Sequence, residues 1–395
     1  MIMERIAIAA RRELERIIDF WRGLRDDTWG GYYGFMDENL KLDKQGETGC
    51  ILNSRILWFF SEAAMLTGRE DLRGQADHAY AFLTEHCLDR ENGGVFWSLT
   101  YDGKVLDDTK HTYNQAFTIY ALASYYRLTG IREALDTAYA IFDRIETTCR
   151  DEEGYLEAFT RNWQPASNEK LSENGVLADK TMNTLLHVFE GDSNLYRCGQ
   201  DAKVGAAMER CLSIYTDKVY DPVLRRQRVF FDARYNSILD LYSYGHDIES
   251  SWLIDTGTRL LGKADLTEKI EAIGTEMARA IYENAFDNHS LANECDRGVK
   301  NETRIWWVQA EAVLGFVNLW EKTGEEKYAR AAADIFGFLR DKVVDKRPGG
   351  EWFGYLDKEG RPLPGHPIVE PWKCPYHSGR MCMRLIRKDP EIYVG

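Results

Sequence analysis

The 395-residue chain predicts an all-α fold, an (α/α)6 barrel of six helical hairpins with short β-hairpins in the long loops at one mouth. Three observations carry this. First, an apolar helix end, a glycine turn and an Ala-rich amphipathic helix recur as a unit. The turns are Leu66-Thr67-Gly68, Leu128-Thr129-Gly130, Leu261-Gly262 and Lys322-Thr323-Gly324, with a weaker copy ending at Gly199. Glycine suits the left-handed residue that ends a helix, and a near-regular period of this size flanked by helices marks a repeat architecture. Second, the helical segments alternate between amphipathic and nearly all-apolar. Third, a glycine–aromatic phrase recurs between them, as in Gly30-Gly31-Tyr32-Tyr33-Gly34, Gly93-Gly94-Val95-Phe96-Trp97, Gly154-Tyr155 and Gly349-Gly350-Glu351-Trp352-Phe353-Gly354.

The amphipathic segments fall at about 4–24, 70–87, 132–148, 201–219, 265–283 and 325–343. Each carries apolar residues at helical spacing among charges, so one face is buried and the other wet. These are the outer helices. The first shows the pattern through Ile6, Leu14, Ile17, Ile18, Trp21 and Leu24. The more apolar segments, at about 50–67, 112–129, 178–196, 245–261, 304–322 and 373–387, are buried inner helices. Short alternating runs such as 97–105 read as small hairpins inside loops long enough to be functional. The first outer helix is expected to close the ring beside the last hairpin. No Pro/Gly/Ser-rich linker divides the chain, so residues 1–395 are expected to form one domain. Because the inner helices are parallel, their N-termini open at the same mouth, and polar residues there should converge.

Hydrophobic content of 44% and charged content of 29% exclude wholesale disorder, and a net charge of −14 argues against nucleic acid or an anionic membrane as partner. No run of 18 apolar residues exists to span a bilayer, and the early acid in Met1-Ile2-Met3-Glu4-Arg5 is unlike a signal peptide. The eight cysteines are scattered without CxxC pairs, as expected of reduced thiols in a cytoplasmic protein. A monomer is expected.

The inner-helix starts are rich in polar and aromatic groups. They read Asn53-Ser54-Arg55, His111-Thr112-Tyr113-Asn114-Gln115, Asp179-Lys180-Thr181-Met182-Asn183 with His187 a turn later, and Ser243-Tyr244-Gly245-His246-Asp247-Ile248-Glu249. Thr303-Arg304-Ile305-Trp306-Trp307 and Pro371-Trp372-Lys373-Cys374-Pro375-Tyr376-His377-Ser378-Gly379-Arg380 complete the set. His246 and Glu249 share a helix face, so the carboxylate is expected to orient the imidazole. Gly245 leaves room for another group to approach. His78, His86, His289 and His366 lie outside these segments and are expected to have no chemical role.

Together these segments resemble the N-acylglucosamine 2-epimerase family, and within it the cellobiose 2-epimerase branch, over nearly the whole chain. The phrases that carry the resemblance are 110–115, 243–249, 304–311 and 372–377. The resemblance implies an (α/α)6 barrel that converts the reducing-end glucose of a β-1,4-linked disaccharide to mannose without a cofactor. It also implies His246 and His377 as the acid/base pair at C2, with Glu249 supporting His246 and His187 near the O1 end. Trp306 and Trp372 would stack on sugar faces, and Tyr113, Asn114 and Asn183 would bond hydroxyls. Two departures stand out: relatives often have His-Ser-Arg where this chain has Asn53-Ser54-Arg55, and Asn where it has Ser378.

The residue types suit that chemistry in their own right. Epimerising C2 of an aldose removes a proton beside the C1 carbonyl and returns one to the other face, which asks for bases near neutral pKa. Arg55 offers a fixed cation for the enediolate oxygens. Other readings remain open at this level. His187, His246, Glu249 and His377 could bind zinc or iron, although no metal is expected because the ligands come singly from separate helices. Adjacent tryptophans point apart on a helix, so at most one of Trp306 and Trp307 should meet a sugar. Arg55 could be an internal ion-pair partner, and Tyr113 and Asn114 could merely cap a helix. A glycoside hydrolase would need two carboxylates, with Glu249, Glu173 and Glu311 as candidates. An aldose–ketose isomerase would use the same residues as the epimerase. A non-catalytic protein-binding regulator is the reading from another class.

Overall fold

The computed structural model describes residues 2–172 and 174–387. The outer helices are α1 (Ile2–Arg22), α3 (Glu70–Phe82), α5 (Arg132–Arg144), α7 (Ala202–Ile214), α9 (Ala264–Asn284) and α11 (Glu326–Phe338). The inner helices are α2 (Cys50–Thr67), α4 (Thr112–Thr129), α6 (Met182–Tyr196), α8 (Tyr244–Arg259), α10 (Trp306–Thr323) and α12 (Tyr376–Ile386). Each inner helix packs on the next around the ring, α12 returns to α2, and α1 lies against α11 and α12. The predicted (α/α)6 barrel is the fold.

Composition explains the layers. In α2 every residue from Cys50 to Ala64 is buried, whereas α1 buries only a stripe, Ile6, Ala10, Leu14, Ile17, Ile18 and Trp21. Each buried Leu or Ile of that stripe stabilises the fold by about 1.5–3 kcal/mol. The helix ends follow the glycine turns: Gly68, Gly130, Gly262 and Gly324 have φ of 68°, 75°, 64° and 70°. The weak copy at Gly199 differs, because the left-handed residue there is Gln200, with φ 52°. Two inner helices start later than their patterns imply, α6 at Met182 and α12 at Tyr376, since the residues just before them belong to the mouth loops. Four outer helices widen into π segments, Leu83–Cys87, Ile145–Cys149, Tyr215–Val219 and Leu339–Val343, whose first and last residues are all buried.

The loops at the mouth are stitched to one another. The strand just before an inner helix pairs with a strand of the following loop: 48–49 with 98–99, 110–111 with 158–159, and 180–181 with 230–231. The pattern continues as 241–243 with 294–296 and 304–305 with 355–356. A bridge between Met36 and Val369 joins the first loop to the last. An aspartate opens every one of these loops and accepts a backbone N–H two or three residues on: Asp26, Asp89, Asp151, Asp221, Asp287 and Asp345. Such side-chain turns fix the chain where it leaves the outer helix. Buried cations next to the inner helices lock onto the same loops, Lys110 to Asp89 at 3.0 Å, Lys180 to Asp151 at 2.7 Å and Lys373 to Glu351 at 2.6 Å. A rigid rim is thus set around the six helix N-termini.

Candidate active site

Inside that rim lies a cavity of about 250 Å³. Arg55 of α2, Tyr113 of α4, Asn183 and His187 of α6, His246 and Glu249 of α8, Trp306 and Trp307 of α10, Trp372 and His377 all line it. Nine of the ten residues expected from the sequence therefore converge. Asn114 is the exception. It is fully buried behind the wall, and its Nδ2 donates to Phe96 O at 2.8 Å, so it fastens a mouth loop to α4. The departures at Asn53 and Ser378 also lie behind the wall, where Asn53 donates to Thr48 and Gly49 and Ser378 to Glu351.

Three histidines face this cavity, and each has a different partner at Nδ1. His377 meets Glu311 Oε1 at 2.7 Å, His187 meets Glu190 Oε2 at 2.8 Å, and His246 meets the Ser243 hydroxyl at 2.7 Å. The expected pairing of Glu249 with His246 is not what forms. Glu249 points deeper, where its carboxylate takes a hydrogen bond from Arg380 and lies 4.0 Å from His377 Nδ1. A buried guanidinium outcompetes an imidazole one turn away, because a charge-assisted bond is roughly twice as strong as a neutral one.

Burial pushes His246 down to about 3. Burial, Arg380 and Arg55 hold His377 well below the usual histidine range. Both imidazoles are therefore neutral near pH 7, the form in which a ring nitrogen has a lone pair to offer. Burial and repulsion from Glu311 push Glu249 up to about 7.

The aromatic walls are denser than the sequence implies. Trp307 as well as Trp306 reaches the cavity, with its ring 4.8 Å from His246 and 5.4 Å from His377. The two tryptophans open α10, where no preceding turn crowds them, so both rings reach the mouth. Gly245 is the reason Trp307 fits: a Cβ there would sit 2.6 Å from its ring.

Arg55 donates to Tyr113 OH at 2.8 Å and to the Trp372 carbonyl at 3.3 Å, with its guanidinium 4.1 Å from the Phe117 ring centroid. Among the described residues it makes no ion pair. Its charge is left for whatever enters the cavity, which the ion-pair alternative does not accommodate.

Behind the histidines Arg380, buried on α12, donates to Glu190 at 2.6 Å and to Glu311 at 2.8 Å as well as to Glu249. In the sequence Glu311 stands out only as a hydrolase carboxylate, Arg380 only inside a longer phrase, and Glu190 not at all. Yet His187 and Glu190 have the same helical spacing as His246 and Glu249, so the signal was present in the pattern. Glu249, Glu311 and His377 are the residues whose ligand atoms cluster closely enough for a metal, all within 4.8 Å among the described residues. The donor set does not fit one, because Arg380 already occupies the place between both carboxylates. Glu173, a hydrolase candidate, lies outside the described residues.

The family model for N-acylglucosamine 2-epimerase matches residues 31–379, which span every cavity-lining residue named above. The chain belongs to the N-acylglucosamine 2-epimerase family. It is thereby a carbohydrate epimerase, an isomerase by class. Within this family it is 48% identical to a cellobiose 2-epimerase of Eubacterium cellulosolvens, over 96% of this chain and 97% of that one. It is 45% identical to one of Ruminococcus albus, over 97% and 98%. The solved cellobiose 2-epimerase of Bacillus thermoamylovorans superposes with a TM-score of 0.94 at 42% identity, covering 97% of this chain and 99% of the other. Among the described residues no helix is long and apolar enough to cross a membrane.

Proposed function

We propose that this epimerase interconverts glucose and mannose at the reducing end of β-1,4-linked disaccharides, turning cellobiose into glucosyl-mannose without a cofactor. The sugar ring opens, a histidine takes the C2 proton, and a cis-enediolate forms. The other histidine enters this step as an imidazolium, charged from solvent or from the proton that Glu249 holds, and returns that proton to C2 from the opposite face. The observation that carries this reading is that His246 and His377, on separate inner helices, line one cavity with the unpaired cation of Arg55. A neutral imidazole is the right base for a carbon acid beside a carbonyl, and Arg55 offsets the charge that develops on O1 and O2. Glu249, near 7, leaves a proton in the cluster close to neutral pH. Trp372 and the paired tryptophans of α10 provide apolar faces of the kind sugars stack on.

A hydrolase reading fares worse. Glycosidases hold their carboxyl groups roughly 5–9.5 Å apart across the bond they cleave, whereas Glu249 and Glu311 offer oxygens within 4.8 Å of each other and are both engaged by Arg380.

Incubation with cellobiose and separation of the products tests the proposal. Glucosyl-mannose is expected. Glucosyl-fructose as main product would make the chain an aldose–ketose isomerase, and free glucose would make it a hydrolase.

A further inference from the structure

Ring opening comes before any chemistry at C2, and it moves one proton from O1 to O5 while the C1–O5 bond breaks and the C1=O1 bond forms. The group that carries this proton needs a nitrogen aimed at the sugar and a fixed tautomer. The tautomer of a histidine is set by what its other nitrogen meets.

His187 has such a partner, and its surroundings are built for the purpose. Glu190 lies one turn further along α6 and is met by three groups. Oε2 meets His187 Nδ1 at 2.8 Å and the Tyr376 hydroxyl at 2.6 Å. Oε1 meets the same hydroxyl at 2.7 Å and Arg380 Nη1 at 2.6 Å. Burial alone would raise this carboxyl, but Arg380 and His187 outweigh it and hold it down at about 2. An ionised carboxylate only accepts hydrogen bonds, so the His187 nitrogen facing it must carry a hydrogen. That leaves Nε2 for the cavity.

We propose that Glu190 is the positioning residue for ring opening. It fixes His187 as the Nδ1–H tautomer with Nε2 toward the sugar, so that His187 takes the proton from O1 and hands it to O5. The anion beneath the ring also stabilises the imidazolium that exists between the two transfers. Among the described residues His246 Nδ1 meets no such anion but the Ser243 hydroxyl, and His246 is suited to a step in which it starts neutral. The edge of the Tyr113 ring (centroids 5.1 Å apart) and the Phe117 ring (4.7 Å) hold the imidazole plane from the sides. The assignment rests on the epimerase reading above, and its tests separate the two.

Two measurements decide it. In Glu190→Gln the charge is lost with the shape kept. The expected result is kcat/KM down at least about 10-fold on cellobiose, with the kinetic isotope effect of C2-deuterated cellobiose collapsing toward 1 as ring opening becomes limiting. His246→Asn, which slows the C2 step itself, should keep the full isotope effect. A Glu190→Gln enzyme with wild-type kinetics, or a slowed one with an undiminished isotope effect, overturns the proposal. Should that variant fail to fold, ¹⁵N NMR of the wild-type protein near pH 7 gives the answer. His187 protonated at Nδ1 supports the assignment, and a bare Nδ1 refutes it. Failure of the wild-type protein to convert any disaccharide would instead strike the functional reading and leave the tautomer measurement standing.

Discussion

At the scale of single residues, the inner nitrogens of the three histidines meet different groups. His246 rests on a hydroxyl and is pushed down to about 3, so its protonation also bears on stability. Below pH 6.5 the unfolded chain takes up a proton at this residue that the fold refuses until about pH 3, so acid favours unfolding across that window. Other buried groups pull the opposite way: Glu249 and Glu157 are both pushed up to about 7, chiefly by burial. They are common to wild type and variant and cancel in a difference. His246→Asn should therefore gain stability relative to wild type as pH falls, by about 1.4 kcal/mol per unit and about 2 kcal/mol at pH 5. Urea unfolding of both proteins at pH 7 and pH 5 checks this, and a pH-independent difference would contradict it.

Trp372 is a second test at this scale. Its carbonyl serves Arg55 and survives truncation, so Trp372→Ala removes only the aromatic face. Loss of a stacking platform for the second sugar should cost about 1–3 kcal/mol, or roughly 10- to 100-fold in kcat/KM on cellobiose, and far less on glucose. Equal losses on both would remove that role. Much of the site was legible because chemistry-bearing side chains stood at helix starts. Most partners of those side chains were not legible, although the spacing of His187 and Glu190 carried one of them. Spacing named Glu249 for His246, but only the fold brings Arg380 from α12 to claim that carboxylate and Ser243 to take its place. Asn114 misled for a related reason: an amide at a helix start serves a loop backbone as readily as a ligand.

At the scale of elements, the glycine turns and the alternation of apolar and amphipathic segments were enough to place the twelve helices of the described residues. The strand stitching was not readable, since strands of two or three residues have no periodicity, and nothing in the sequence sets the six loop aspartates apart from other loop carboxylates. The turn near Gly199 shows how a weak copy differs physically. Gly130 holds φ 75°, whereas the left-handed position after α6 belongs to Gln200. Gly130→Ala should thus cost about 1 kcal/mol, seen as a lowered Tm, while Gly199→Ala, with open space around its Cβ, should stay within about 0.5 kcal/mol. Equal shifts would mean the two turns are alike after all.

At the scale of the whole molecule, a closed ring of six inner helices gathers single residues from distant parts of the chain at one mouth, and the stitched loops hold them there. Arg380 already binds both carboxylates of the Glu249, Glu311 and His377 cluster, so dialysis against a strong chelator should leave the rate unchanged. Loss of activity restored by one divalent ion would revive a metal at this site. The central claim is that His246 and His377 exchange protons with C2 between them. The most direct measurement is turnover of cellobiose in D2O by wild type and by His246→Asn, His377→Asn and the double variant. Deuterium at C2 of the product mannose residue is predicted. Each single change should lower kcat by at least about 100-fold, and the double change by little more. Product that keeps its original C2 hydrogen, or near-normal epimerisation by either single variant, would contradict the mechanism.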